Sequence, residues 1–343
     1  MRTFPHVGPS GRASAPPKTR FLIGNRQWWL LLAGLSLLAL SCFGLCLRQK
    51  NTPEKRRVVK QLPTLAQLLQ MSPDQLAQQD VAAVNLACAE GLYGAENLDK
   101  QFCLHQLDEW AAGAGRLLKE REFMFHAHPD KSNFSINRWR CAALVQYLNQ
   151  IVGLRYNPVL KGKTKLQRYE TSFYHDSRNF LIHGLITETN RGTCSSMPVL
   201  FTAVARRLGF PITLVTTSGH LFARWDSHST NEVFNIETTD KFAEFKSDDF
   251  YKTFPVTLRP GTVERHGYLI SLTPERVLSA FLHLRAMCLW DHGRIEEARD
   301  TFIASARLDP GYKQQGLQND FVREVERLIA QGNRHTEEAT KVE

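Results

Sequence analysis

Apolar and polar positions are unevenly spread along the chain, and the first apolar block is also the longest. From Trp28 to Leu47 the sequence reads WWLLLAGLSLLALSCFGLCL, twenty residues without a charge. At helical rise this length matches the ~30 Å hydrocarbon core of a bilayer, and it exceeds the roughly 7 to 15 residues of a cleaved signal core. Tandem Trp28 and Trp29 suit a membrane interface. A single transmembrane helix is therefore expected over 28–47, between a disordered basic arm (1–27) and a charged linker (48–63). Arg2, Arg12, Lys18, Arg20 and Arg26 precede the span, and Arg48, Lys50, Lys55, Arg56, Arg57 and Lys60 follow it, so the flanks do not fix the side on which the body lies. The stretch LALSC ending at Cys42 offers a different tether, a lipid-bearing cysteine. An extracytoplasmic soluble part suits either form.

Beyond residue 63 the period changes. Ser72-Pro73-Asp74-Gln75 reads as a capping box with Pro at the first helical position, opening a helix through Leu76, Val81, Val84, Leu86 and Cys88. Helical spacing continues over 98–122, with Leu104, Leu107, Trp110 and Leu117 on one side, and over 136–152, so 64–152 is expected to be a helical region. Cys194 to Leu208 is helical in period and stops at Gly209 with Pro211 just after. Three strand-like runs follow at 211–217, 220–225 and 233–238, the last two joined by the polar turn 226–231, which predicts an antiparallel meander. From Thr262 the pattern is helical again. Counted from Ser279, the positions of Ala286, Gly293, Ala298, Phe302 and Pro310 fit one tetratricopeptide (TPR) unit of 34 residues. One unit cannot bury its own apolar face, so a hairpin docked on the rest is expected over 262–330, with 318–330 as its cap and a disordered tail at 331–343. A plain helical hairpin would carry the same spacing.

Composition changes this picture little, but charge does. The chain is 43% hydrophobic with a formal net charge of +9. Residues 1–60 hold eleven Lys and Arg against the single acid Glu54, leaving 32 basic and 33 acidic residues in the rest. The body is thus near neutral, and a nucleic-acid partner is excluded on charge. The basic run KGKTK (161–165) reads as a solvated face.

Chemistry concentrates on few residues. Seven cysteines are present, Cys42 and Cys46 in the apolar block and Cys88, Cys103, Cys141, Cys194 and Cys288 after it, with no CxxC pair and no zinc spacing. Five in the body leaves at least one unpaired. Cys194 stands apart because Gly192-Thr193-Cys194 opens a predicted helix, where unpaired N–H groups and the dipole favour a thiolate. His220, after Ser218-Gly219, opens a strand and could take the thiol proton. Asn235 and Glu237 lie two apart on the next strand and share a face, so either could orient the imidazole. His126, His128 and Asp130 lack a further ligand at metal spacing, and His175 and His183 read as structural. No P-loop, Rossmann glycine pattern, GxSxG or HExxH occurs, so no cofactor and no metal is expected.

A thiol at a helix start followed by strands bearing His and an acid resembles the transglutaminase-like superfamily. The segment RGTCSSMPVLFTAVARRLGFPITLVTTSGHLFARW (191–225) is similar to that family's helix, exit and His strand, and NIETT (235–239) to its third strand. Asp176-Ser177-Arg178-Asn179 resembles a DxxN stretch of bacterial members whose core is followed by tetratricopeptide-type helices, and the likeness spans about 140–312. The resemblance implies an α+β fold with a transglutaminase-like core, helix plus antiparallel sheet, over 153–260. It implies Cys194 as nucleophile, His220 as general base and Glu237 as orienting acid, with Asn235 the alternative because the family's acid is usually Asp. The implied activity is cleavage of amide bonds in a peptide or protein through a Cys194 thioester, with hydrolysis favoured over cross-linking. A second implication is an inactive scaffold whose C-terminal helices take a protein partner.

Overall fold

Polar side chains set where the first helices begin. Thr64 and Ser72 each close a capping box, with Gln67 and Gln75 reaching back to the cap N–H, and so start α1 (Leu65–Leu68) and α2 (Pro73–Ala77). The continuous helix expected from Ser72 through Cys88 is instead two. The Asp80 carboxylate accepts from the Ala82 N–H and opens α3 (Val81–Ala89), all nine of whose residues are buried. Next come α4 (Lys100–Ala127) and α5 (Ile136–Gln146), the latter running into a π-helical turn (Tyr147–Val152) that ends at Gly153, and then the short α6 (His183–Thr187). The buried seam of α4 is Cys103, Leu107, Ala111, Ala114 and Leu118, displaced from the predicted stripe because the two small alanines admit neighbouring helices.

This computed structural model describes residues 62–127, 135–162, 173–187 and 189–310, together with Arg327. The segment Trp28–Leu47 with its arm, the expected cap at 318–330 apart from Arg327, and the tail 331–343 lie outside the described residues. Among the described residues no helix is long and apolar enough to cross a membrane. Gln61–Glu343 forms one compact unit of mixed α+β character.

The sheet arises from alternation. β3 (Ile212–Thr217), β4 (His220–Ser227) and β5 (Glu232–Ile236) form an antiparallel meander in that order. Its first turn is Ser218-Gly219, with Gly219 at φ +76°, a conformation that glycine adopts without strain. Leu221, Ala223, Trp225, Phe234 and Ile236 share a core with the helices, α7 (Met197–Arg207) among them. Phe222 faces the other way, into a smaller cluster with Val215, Tyr251, Tyr268 and Leu269. That second face is covered by the segment after β5, which carries α8 (Asp248–Thr253) and α9 (Thr262–His266). The helical pattern expected from Thr262 breaks after α9. Leu269 and Leu272 donate instead to Thr216 and Leu214 along the free edge of β3.

The C-terminal hairpin is α10 (Pro274–Asp291) and α11 (Ile295–Leu308), turned at Gly293. Ala286, Ala298 and Phe302 are buried where the two helices meet, and Ser279 and Ser305 exchange hydrogen bonds across the contact. Arg285 donates to the carbonyls of Cys88 and Glu90, which ties the hairpin to the end of α3.

Candidate active site

The loop carrying Cys194 is fixed before any helix begins. A two-residue parallel pair joins β1 (Arg155–Tyr156) to β2 (Arg191–Gly192). The Asn179 carbonyl then accepts from Thr193 Oγ1 at 2.9 Å and Ser196 Oγ at 3.2 Å, one on each side of Cys194. A side chain at Gly192 would meet Ser196 Oγ at 2.5 Å, so glycine is needed for this close approach. Helix α7 starts at Met197, with Ser196 at its cap and Pro198 in its first turn. Cys194 therefore lies in a turn two residues ahead of that cap, and the helix begins three residues later than the start at Cys194 expected from the sequence. The DxxN stretch forms a 3-10 turn (Ser177–Asn179) capped by Asp176, whose carboxylate also takes Arg178 Nη2 at 2.8 Å. Its last residue, Asn179, thereby clamps the Cys194 loop through its carbonyl.

His220, at the start of β4, is 8% exposed, and Cys194 is half-buried. Glu237 Oε2 accepts from His220 Nε2 at 2.7 Å, and a further hydrogen bond joins the imidazole to the Cys194 thiol. With Nε2 given to Glu237, Nδ1 is the nitrogen left for sulfur. The Glu237 carboxylate also accepts from the Thr239 N–H (3.0 Å), Thr239 Oγ1 (2.6 Å) and Tyr251 Oη (3.1 Å). Burial works against the charged imidazole, but hydrogen bonds and charge from Cys194 and Glu237 outweigh it and raise its pKa to about 10. Burial likewise opposes the Glu237 carboxylate, and the bonds from His220 and Thr239 hold it below the usual range. The half-exposed Phe254 sets its ring edge-on to the imidazole, 5.3 Å between centroids.

Asn235 shares the face of Glu237, as alternation requires, but it is not at the imidazole. The register sets it opposite Arg224, four residues along β4 from His220. Its side chain accepts from Arg224 Nε (2.7 Å) and donates to the Lys246 carbonyl and to Asp248 Oδ1 (2.8 Å). Sequence reasoning missed Thr239 and Tyr251. Thr239 was within the quoted NIETT stretch, whereas no period or spacing pointed to Tyr251.

The remaining candidates are placed elsewhere. Cys88, Cys103, Cys141 and Cys288 are buried free thiols whose pKa burial pushes up, to about 12 for Cys88 and about 11 for Cys103. His126 lies near Glu122 on α4, while His128 and Asp130 fall outside the described residues. Among the described residues no group of His, Cys, Asp and Glu could hold a metal. His183 Nε2 donates to the Gly94 carbonyl, and His175 stacks on His292 at 4.1 Å, so both serve packing.

A family model of the transglutaminase-like superfamily matches residues 103–281, just over half of the chain. The chain belongs to this superfamily. The transglutaminase-like region so matched starts inside α4, well before residue 140, and stops within α10. It therefore takes in helices that the sequence reading set apart, and leaves out most of the hairpin. No curated protein and no solved structure matches the chain.

Proposed function

We propose that the protein is a transglutaminase-like cysteine enzyme that hydrolyses an amide bond through a thioester at Cys194. One observation carries this reading: a half-buried thiol is bonded to a buried imidazole that a buried carboxylate holds on its other side. The same interaction that keeps a proton on His220 favours the thiolate, because coupling between two titrating groups is reciprocal. The thiolate attacks the amide carbon and forms the S–C bond, while the Cys194 N–H faces the developing oxyanion. The imidazolium gives its proton to the leaving amine as the C–N bond breaks. Water then attacks the thioester, His220 takes a proton from it, and the acid and free thiolate result. Water is always at hand, which favours hydrolysis over cross-linking to a second amine.

Glu237 keeps the imidazole in the tautomer and plane this cycle needs. The substrate class is a peptide or protein amide. The segment 28–47 serves as the membrane tether, and the α10–α11 hairpin, read as a TPR-like unit, as a surface for a protein partner. The deciding experiment is the pH dependence of iodoacetamide alkylation at Cys194, followed by peptide mass spectrometry. An inflection well below the free-thiol value of about 8.5 is expected, and it should vanish in His220→Ala. At pH 6.5 only about one free thiol in a hundred is ionised, so the variant should react up to ~10²-fold more slowly. A single inflection near 8.5 in both proteins would sink the catalytic reading.

A further inference from the structure

Helix α8 lies over the sheet face that carries His220 and Glu237, and what it delivers there is one hydroxyl. Tyr251 is fully buried, its ring parallel to Phe222 with centroids 3.8 Å apart and 2° between planes. Its backbone carbonyl accepts from Thr217 Oγ1 at 3.0 Å. Its phenol donates to Glu237 Oε2, the same oxygen that accepts from His220 Nε2. The other oxygen, Oε1, takes both Thr239 donors. All four hydrogen bonds thus fix the plane of a carboxylate whose extra methylene, relative to Asp, gives it one more rotatable bond to fix.

The helix is itself tied down. Arg224, 7% exposed, donates through Nε to Asn235, through Nη1 to the Leu269 carbonyl (2.9 Å) and through Nη2 to Asp248 (2.5 Å). Asn235 completes the triangle by donating to the same Asp248 oxygen. Asp248 is the first residue of α8, so this cluster sets the end from which Tyr251 projects.

We propose that Tyr251 is a positioning residue of the site, its phenol O–H fixing the Glu237 oxygen that receives His220, with the Arg224–Asn235–Asp248 cluster holding α8 in place for it. The inference rests on the cysteine-enzyme reading and deepens it. The alternative is that Tyr251 merely packs against Phe222. Cys194 acts on His220, His220 and Lys246 act on Glu237, and Glu244 and Asp248 act on Tyr251.

Iodoacetate separates the two roles. As an anion it is steered by the imidazolium, so its rate at Cys194 should rise as the thiolate forms and fall as His220 loses its proton. The alkaline limb then reports the imidazole, at about 10 in the wild type. Tyr251→Phe keeps the ring and removes only the hydroxyl. That limb should move down by at least one pH unit, toward the ordinary imidazole value. In a Glu237→Gln background the same change should move nothing further, since Tyr251 acts through that carboxylate. Asp248→Ala, at a partly exposed side chain, should shift the limb the same way by less. An unchanged or raised alkaline limb in Tyr251→Phe would overturn the proposal, as would additive effects in the double variant. A wild type with no bell-shaped profile would instead refute the cysteine-enzyme reading, so the two failures are distinct.

Discussion

The sheet buries His220 and the C-terminal hairpin half-buries His283, and the two imidazoles are driven in opposite directions. His220 meets a thiol and a carboxylate, and its pKa rises to about 10. His283 on α10 stands against the Phe302 ring, 5.3 Å between centroids, and burial lowers its pKa to about 4. Desolvation opposes the charged imidazole at both sites. The difference is that anionic partners at His220 restore the charged form. The same contrast separates the cysteines, since Cys194 is bonded to an imidazole while Cys288 on the hairpin is pushed up by burial. The His220 site is built to hold charge, and the surroundings of His283 and Cys288 disfavour it.

The hairpin half of this comparison predicts a large stability effect with no chemical one. Phe302→Ala removes a ring that is 1% exposed and should cost about 3–5 kcal/mol, read from denaturant unfolding. The pH profile of Cys194 alkylation should stay as it is, and a moved inflection would show the two regions to be coupled. A smaller effect tests the sheet. Asn235→Ala leaves the buried Arg224 short of an acceptor and should cost about 1–3 kcal/mol. Thiolate formation should persist in that variant, whereas exchanging Glu237 for Gln should lower the alkaline limb. Equal effects from the two substitutions would return Asn235 to candidacy as the orienting group.

The smallest effect is in the pH dependence of stability. An unfolded histidine takes up a proton near 6.5, while folded His283 resists until about 4, so stability should fall as pH drops through that window. His283→Leu should flatten the acid side of a thermal-unfolding series. His220 has the opposite sign, its contribution being complete below 6.5 and lost as pH rises toward about 10. His220→Ala should flatten the alkaline side, and a swap of the two outcomes would break the comparison.

Much of this arrangement was legible in the sequence, and the rest was hidden for identifiable reasons. Alternation along β5 put Asn235 and Glu237 on the His220 face, but only the pairing register shows that Asn235 stands opposite Arg224. Strand and hairpin boundaries followed from glycines and polar turns, as at Gly219 and Gly293. The start of α7 did not, because Thr193-Cys194-Ser195-Ser196 carries no apolar period that could separate a turn from the first turn of a helix. Helix α3 has no polar face at all, so no period could separate it from α2. Tyr251 sits fourteen residues beyond Glu237 in a six-residue helix, too short to carry a pattern.

The pair of strands that steadies Cys194 also ties reactivity to the history of the chain. Arg155 and Arg191 meet in parallel across thirty-six residues of sequence, a closure that local collapse does not supply. Until those segments, the Asn179 carbonyl and the His220 strand are all in place, the thiol is expected to behave as an ordinary cysteine. Low-pH nucleophilicity then depends on contacts that are distant in sequence. Pulse alkylation during refolding should detect it only after far-UV helix content has recovered, and reactivity that appears earlier would contradict that dependence.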